Sequence, residues 1–197
     1  MISYFQRVAF LLKNAVVIDI GGYIGDTAIY FALKGARVLA FEPHPYLFYL
    51  LKTNVALNSL ENKIMVYNLA VGDKHHVVEL REPENNAYKT LGITTEGKGR
   101  VVGYAEQVPA GWIIDQFDAI DLIKFNCEGC EYPSILSLDP KQLRRIKFSL
   151  IHIHEHAIYT QYALVKKLRE SGFKLLVKVA QPSVLVYANS KYLNSRN

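Results

Sequence analysis

The chain has 197 residues, 50% of them hydrophobic and 21% charged, with a formal net charge of +5 and an isoelectric point near 9.1. That is enough apolar material to bury a core without disulfide or metal staples, and one domain over residues 1–197 is the economical reading. The 23 Lys and Arg are spread along the chain rather than packed in a run, so the charge permits an acidic partner without requiring one.

At the N-terminus, Arg7 and Lys13 bracket only the apolar run Val8 to Leu12, too short for a signal h-region or a membrane span. Residues 1–14 read as a helix that docks on a sheet, and the expected location is cytoplasmic. The two cysteines, Cys127 and Cys130, read as small packing residues of a reducing compartment rather than as a disulfide framework.

The apolar run 16–20 ends in Gly21-Gly22-Tyr23-Ile24-Gly25-Asp26-Thr27, and an apolar helix face follows at Ala28, Phe31 and Ala32. This is a buried parallel strand, a tight glycine loop and a helix, the opening of a Rossmann-like nucleoside-binding fold. Glycine suits a loop that turns sharply and allows close approach of a ligand. A second strand, 37–41, carries Glu42 at its tip, where a carboxylate accepts hydrogen bonds from a ribose diol.

The loop register discriminates among cofactors. Counting from Gly21 or from Gly22, the later positions of G-x-G-x-x-G are not glycine, and no Gly-Lys-Ser or Gly-Lys-Thr follows. Asp26 at the helix start repels a phosphate where the helix dipole would attract one. The remaining pattern, D-x-G-x-x-x-G-D from Asp19 to Asp26, suits a nucleoside with a cationic centre and no phosphate, which describes S-adenosylmethionine. Tyr23 then offers an aromatic face to the sulfonium.

Further along, residues 45–57 carry Leu47, Leu50, Leu51 and Val55 at helical spacing, ended by Asn58 and Ser59. Residues 63–69 form the third strand and 77–80 a short strand or hairpin arm. The excursion 81–111 holds much of the irregular polar and glycine content, with a candidate strand at 100–104, and reads as a lid, a substrate arm or an interface. Residues 121–126 are the fourth main strand, 148–154 the fifth, and 159–171 a helix with Leu164, Val165 and Leu168 inward. Strands at 173–180 and 184–188 flank a Gln181-Pro182-Ser183 turn, a hairpin that introduces one antiparallel strand.

Chemistry-bearing residues gather after the fourth and fifth strands. In open α/β sheets the ligand crevice lies at the carboxyl ends of the strands, where the order reverses. Lys124, Asn126 and Glu128 stand there, with Glu128 a candidate base or a partner that orients Lys124. Alternation in Ile151-His152-Ile153-His154-Glu155-His156 puts the three histidines on one face, with His154 or His156 the candidate to reach the substrate as a base. A mixed Cys/His metal site is thinkable from Cys127, Cys130 and these histidines, but one C-x-x-C is weak evidence, and no metal is expected.

Taken together, D-x-G-x-x-x-G-D-T, Phe41-Glu42-Pro43, Leu51-Lys52-x-Asn54-x-x-x-Asn58, Ala70-Val71-Gly72-Asp73 and the run from Ile120 to Glu131 resemble the FkbM family of S-adenosylmethionine-dependent methyltransferases. The resemblance covers residues 16–156. It implies a class I methyltransferase α/β fold, with a mostly parallel seven-stranded sheet and a C-terminal antiparallel hairpin strand. It implies that Asp19, Gly21 and Gly25 line the methionine end of the cofactor, Glu42 holds the ribose, and the region of Asn68 and Ala70 faces adenine. Gly22, Tyr23, Asp26, Thr27, Pro43 and Asn126 complete the expected cofactor set.

The family reads K-x-D-x-E-G where this chain has Asn126, an amide that hydrogen-bonds but carries no charge. The expected reaction, by resemblance, is methylation of a hydroxyl on a small molecule or glycan. An RNA acceptor and a non-catalytic cofactor-binding protein are the alternatives.

Overall fold

The computed structural model describes residues 12–82, 100–154, 156, 158–179 and 183–193. Its elements run β1 (Val16–Ile20), α1 (Asp26–Leu33), β2 (Arg37–Phe41), α2 (Pro45–Leu57), β3 (Ile64–Tyr67), β4 (Ala70–Gly72), β5 (His76–Glu82) and β6 (Arg100–Pro109). They continue with α3 (Ala110–Ile114), β7 (Ile120–Phe125), α4 (Glu131–Ser137), α5 (Pro140–Arg145), β8 (Ile146–His152), α6 (Gln161–Glu170), β9 (Phe173–Val179), β10 (Val184–Asn189) and α7 (Ser190–Leu193).

The apolar runs form a seven-stranded sheet in the order β3-β2-β1-β7-β8-β10-β9. Strands β3, β2, β1, β7 and β8 are parallel, while β10 lies antiparallel between β8 and β9. The strand order reverses at β1, which has β2 on one side and β7 on the other, so the crevice opens at the carboxyl ends of those strands.

These strands read as continuous apolar runs because both faces are covered. One face sets Ile18, Ile20, Leu39, Phe41, Ile123, Phe125 and Ile151 against α3, α4 and α6. The other sets Val17, Val38, Ala40, Leu122 and Leu150 against Ala28, Phe31 and Ala32 of α1 and Leu51 and Val55 of α2. Helix α2 starts where the sequence places it, with His44 accepting from the Leu47 N–H at 3.4 Å and Pro45 in the first helical turn, where its missing N–H costs nothing.

The hairpin expected at the C-terminus is present, with its turn at 180–182 outside the described residues. The expected helix at 1–14 also lies almost wholly outside them. The third strand expected at 63–69 is present as β3, and a second, three-stranded sheet, β4-β6-β5, which the sequence reading did not separate from the main one, follows it. The chain leaves the main sheet after Tyr67 and enters the small one at Ala70. Arg81, Glu82 and residues 100–111 are likewise regular: β6 runs ten residues and pairs antiparallel with β5. The rest of the excursion, 83–99, lies outside the described residues. Helix α4 packs against β4, which seats the small sheet beside the end of β7. Among the described residues, no helix is long and apolar enough to cross a membrane.

Candidate active site at the carboxyl ends of the strands

Beneath the glycine loop lies a buried ionic network. Asp19, fully buried on β1, accepts from Thr27 Oγ1 of α1 at 2.6 Å and pairs with Lys124 Nζ of β7 at 2.6 Å. Lys124 is 3% exposed and spends a second N–H on the Gly21 carbonyl at 3.1 Å. Register places Asp19 beside Lys124 on adjacent parallel strands, and α1 brings Thr27 over them. This charge pair is removed from water on every side, which binds β1, β7, α1 and the loop into one unit.

The loop itself has little freedom. A Cβ on Gly21, at φ +78°, would fall 1.9 Å from the Asn126 carbonyl oxygen. The close approach that demands glycine here is therefore the neighbouring backbone, a cause internal to the protein. A Cβ on Gly22 would meet Leu51 at 2.7 Å, and Gly25 caps α1 at φ +93° without a side-chain bond. Tyr23 holds φ +51°, a costly backbone state for a bulky residue and one that collects at functional sites. Its side chain is 39% exposed, and Asp26 opens α1 on the exposed side.

Glu42, one residue past β2, is 6% exposed. Its Oε2 accepts from the Tyr23 N–H and its Oε1 from the His44 N–H, both at 2.9 Å. Burial dominates its ionisation and lifts it to about 7, against the lowering pull of those two amides and of Lys124. Each carboxylate oxygen keeps a lone pair beyond its amide partner. Asn68 shapes this turn by donating from Nδ2 to the carbonyls of Glu42 and Pro43, each at 2.9 Å. Ala70, by contrast, is buried in the small sheet with Val78, Leu80 and Ala105, so its side chain serves that core.

After β7 the chain turns through Cys127 to Cys130 with Glu128 at φ +56° and Gly129 at φ +117°. The two cysteines are joined by a disulfide, which corrects the expectation of free packing thiols. The turn doubles back and brings their Cα atoms to 5.4 Å, within bridging distance. Glu131 follows, fully buried at the start of α4. Its Oε1 accepts from the His154 N–H at 3.0 Å and pairs with His154 Nδ1 at 3.1 Å, while its Oε2 accepts from the Gly129 N–H at 3.1 Å.

The histidines separate into three environments. His154 lies between Glu131 and Glu128, whose Oε1 is 3.3 Å from Nε2. Burial alone would lower His154, but hydrogen bonds and charge from the two glutamates prevail and raise it to about 9. It is an imidazolium at neutral pH. The same contact holds Glu128 below the usual carboxylate range, against partial burial. His156 sits beyond the strand, its Nδ1 3.1 Å from the N–H groups of Ile158 and Tyr159, and its ring lies against Tyr132 and Tyr159. His152 closes β8, with Nδ1 2.5 Å from Asn126 Oδ1. Burial, followed by the positive charge of His154, lowers its ionisation.

The structure thus gathers Gly21, Tyr23, Glu42, Asn126 and Glu128 at one edge of the sheet. It commits Asp19, Thr27 and Lys124 to the network below. Two contributors were not singled out by sequence reasoning: Glu131, which ties β8 to the turn after β7, and His152. The I-H-I-H alternation carried the signal for His152, but only the register of β7 with β8 shows which histidine meets Asn126. Among the described residues, no three of His, Cys, Asp and Glu are grouped to hold a metal ion.

Known proteins share this architecture. The chain resembles a precorrin 8W decarboxylase from Methanobacterium thermoautotrophicum (TM-score 0.56, 13% identity, 94% of this chain and 87% of the other). It also resembles the methyltransferase FkbM of Methylobacillus flagellatus KT (TM-score 0.56, 16% identity, 89% of this chain and 43% of the other). A ribosomal protein L11 methylase from Lactobacillus delbrueckii subsp. bulgaricus has the same fold at a TM-score of 0.52 and 17% identity, over 93% of this chain and 76% of the other. In sequence, a stretch of 57 residues is 42% identical to tRNA (guanine(37)-N(1))-methyltransferase 1 of Vitis vinifera, covering 29% of this chain and 9% of that protein's length. The model of the methyltransferase FkbM domain matches residues 19–175, which takes in the glycine loop, Glu42, the turn after β7 and all three histidines. On that match the chain belongs to the FkbM methyltransferase family.

Proposed function

We propose that the chain uses S-adenosylmethionine to methylate a hydroxyl on a small molecule or glycan. The observation that carries the cofactor is Glu42. Its carboxylate is fixed by two backbone amides beside the glycine loop, with lone pairs left to accept both hydroxyls of a ribose. The donor set fits: Asp26 disfavours a phosphate at the start of α1, Tyr23 offers an aromatic face to a cation, and Asn68 stiffens the Glu42-Pro43 turn.

When bound, S-adenosylmethionine supplies a methyl group made electrophilic by its sulfonium. The protein's share is alignment and proton removal, since methyl transfer is an in-line displacement. The Asp19-Lys124 pair keeps the loop in place, and Glu42 sets the depth of the nucleoside. Asn126 lies between the cofactor end of β1 and the histidine end of β8. The family resemblance is what supports a hydroxyl as the acceptor.

Calorimetric titration with S-adenosylmethionine and with NAD tests the reading. Binding of the first, abolished by Glu42→Ala, is expected; tight binding of NAD alone overturns it. A second reading, transfer to RNA, draws on the 57-residue likeness to a tRNA methyltransferase. Retention on RNA that does not weaken with salt removes its electrostatic basis.

A further inference from the structure

One row of residues crosses the carboxyl edge of the sheet. Ile20 pairs with Phe41 and with Phe125, and Phe125 pairs with Ile151. The next step along these parallel strands sets Glu42, Gly21, Asn126 and His152 side by side across β2, β1, β7 and β8. The ribose-binding carboxylate stands at one end of this row and an imidazole at the other.

The chemistry of the row sorts its members. An amide oxygen accepts and cannot donate, so the contact from His152 Nδ1 to Asn126 Oδ1 places the imidazole proton on Nδ1. The lone pair then resides on Nε2, which makes no hydrogen bond among the described residues. The charged groups acting on this ring are His154 beyond the end of its own strand, Lys124 on β7, Glu128 in the turn and Glu131 on α4. His154, with ring centroid 4.4 Å away, is already an imidazolium and opposes a second positive charge beside it. Lys124 is committed to Asp19, and Glu128 to His154.

We propose that His152 Nε2 is the base that takes the proton of the methyl acceptor, and hence that the acceptor arrives protonated and uncharged, as an alcohol does. This deepens the proposed function and rests on it. The acceptor oxygen forms the bond to the methyl carbon and passes its proton to Nε2. The carbon–sulfur bond breaks with its electron pair moving to sulfur, which becomes a neutral thioether; the proton then leaves His152 for solvent. Asn126 belongs to this arrangement: a carboxylate at its position would hold His152 as a cation, whereas the amide orients the ring and leaves it neutral.

Imidazole nitrogen spectra of the isotope-labelled 197-residue chain, recorded with and without S-adenosylmethionine carrying a 13C methyl group, test the proposal. The expected result is His152 protonated on Nδ1 alone near neutral pH, with a nuclear Overhauser contact from the methyl group to its ring. In Asn126→Asp its titration moves up by about one pH unit or more. His152→Gln is expected to bind the cofactor within about threefold of the parent chain. A proton on Nε2, or no methyl contact while the Tyr23 and His44 amides shift, overturns the proposal and leaves the cofactor reading standing. A larger loss of affinity in His152→Gln assigns the ring to cofactor binding and overturns it too. If those amides do not respond to the cofactor, both readings fall.

Discussion

Glu42 and His154 show how environment divides similar groups into different tasks. Glu42 ionises near 7 because burial penalises its charge, so the ligand-free fold favours it protonated and loses that stability as pH rises from 4.5 through about 7. Binding of a ribose diol runs the other way, because the ionised carboxylate is the better acceptor. Calorimetry is therefore expected to find S-adenosylmethionine about tenfold tighter near pH 8 than near pH 6, following the ionised fraction. His154 carries the opposite linkage. Its folded value of about 9 lies above the ordinary 6.5, so its contribution is complete below 6.5 and is lost as pH rises through 9. That contribution is about 3 kcal/mol, and Glu131→Gln is expected to flatten the fall in denaturation midpoint between those limits.

At the scale of elements, two connections hold the edge of the sheet. The loop after β1 passes so close to the turn after β7 that Gly21→Ala places a methyl group 1.9 Å from the Asn126 oxygen, at a φ that side chains avoid. A loss of about 3 kcal/mol or more in urea denaturation is expected, larger than for Gly103→Ala, whose Cβ would meet only Leu80 at 3.8 Å. The second connection is the disulfide. Closing a four-residue loop stabilises by about 2 kcal/mol in the chain-entropy account, so reducing agent is expected to lower stability by that amount and to leave Cys127→Ser/Cys130→Ser unaffected. The turn so closed carries Asn126 at its start and Glu131 at its end. Sequence reasoning missed the bridge because composition argued against it, and the bridging distance depends on positive φ at Glu128 and Gly129, a feature no spacing rule reports.

Across the whole molecule, the parallel sheet, the glycine loop and the acid after β2 were legible from the order of residues alone. Their signals are local: buried strands are continuous apolar runs, a glycine cluster marks a sharp turn, and an acid at a strand tip is one residue from its strand. The C-terminal hairpin was legible for the same reason. The roles at the edge of the sheet depend instead on long-range packing. Asp19 and Lys124 are 105 positions apart in the chain and meet only because β1 pairs with β7. The small sheet depends on β4 leaving the main sheet to pair with β6, a long-range choice that a three-residue strand cannot announce. Three histidines at alternating positions looked alike in the sequence. Packing gave one to Asn126, one to two glutamates and one to two tyrosines, because strand register and a buried charge fix which partner each ring can reach.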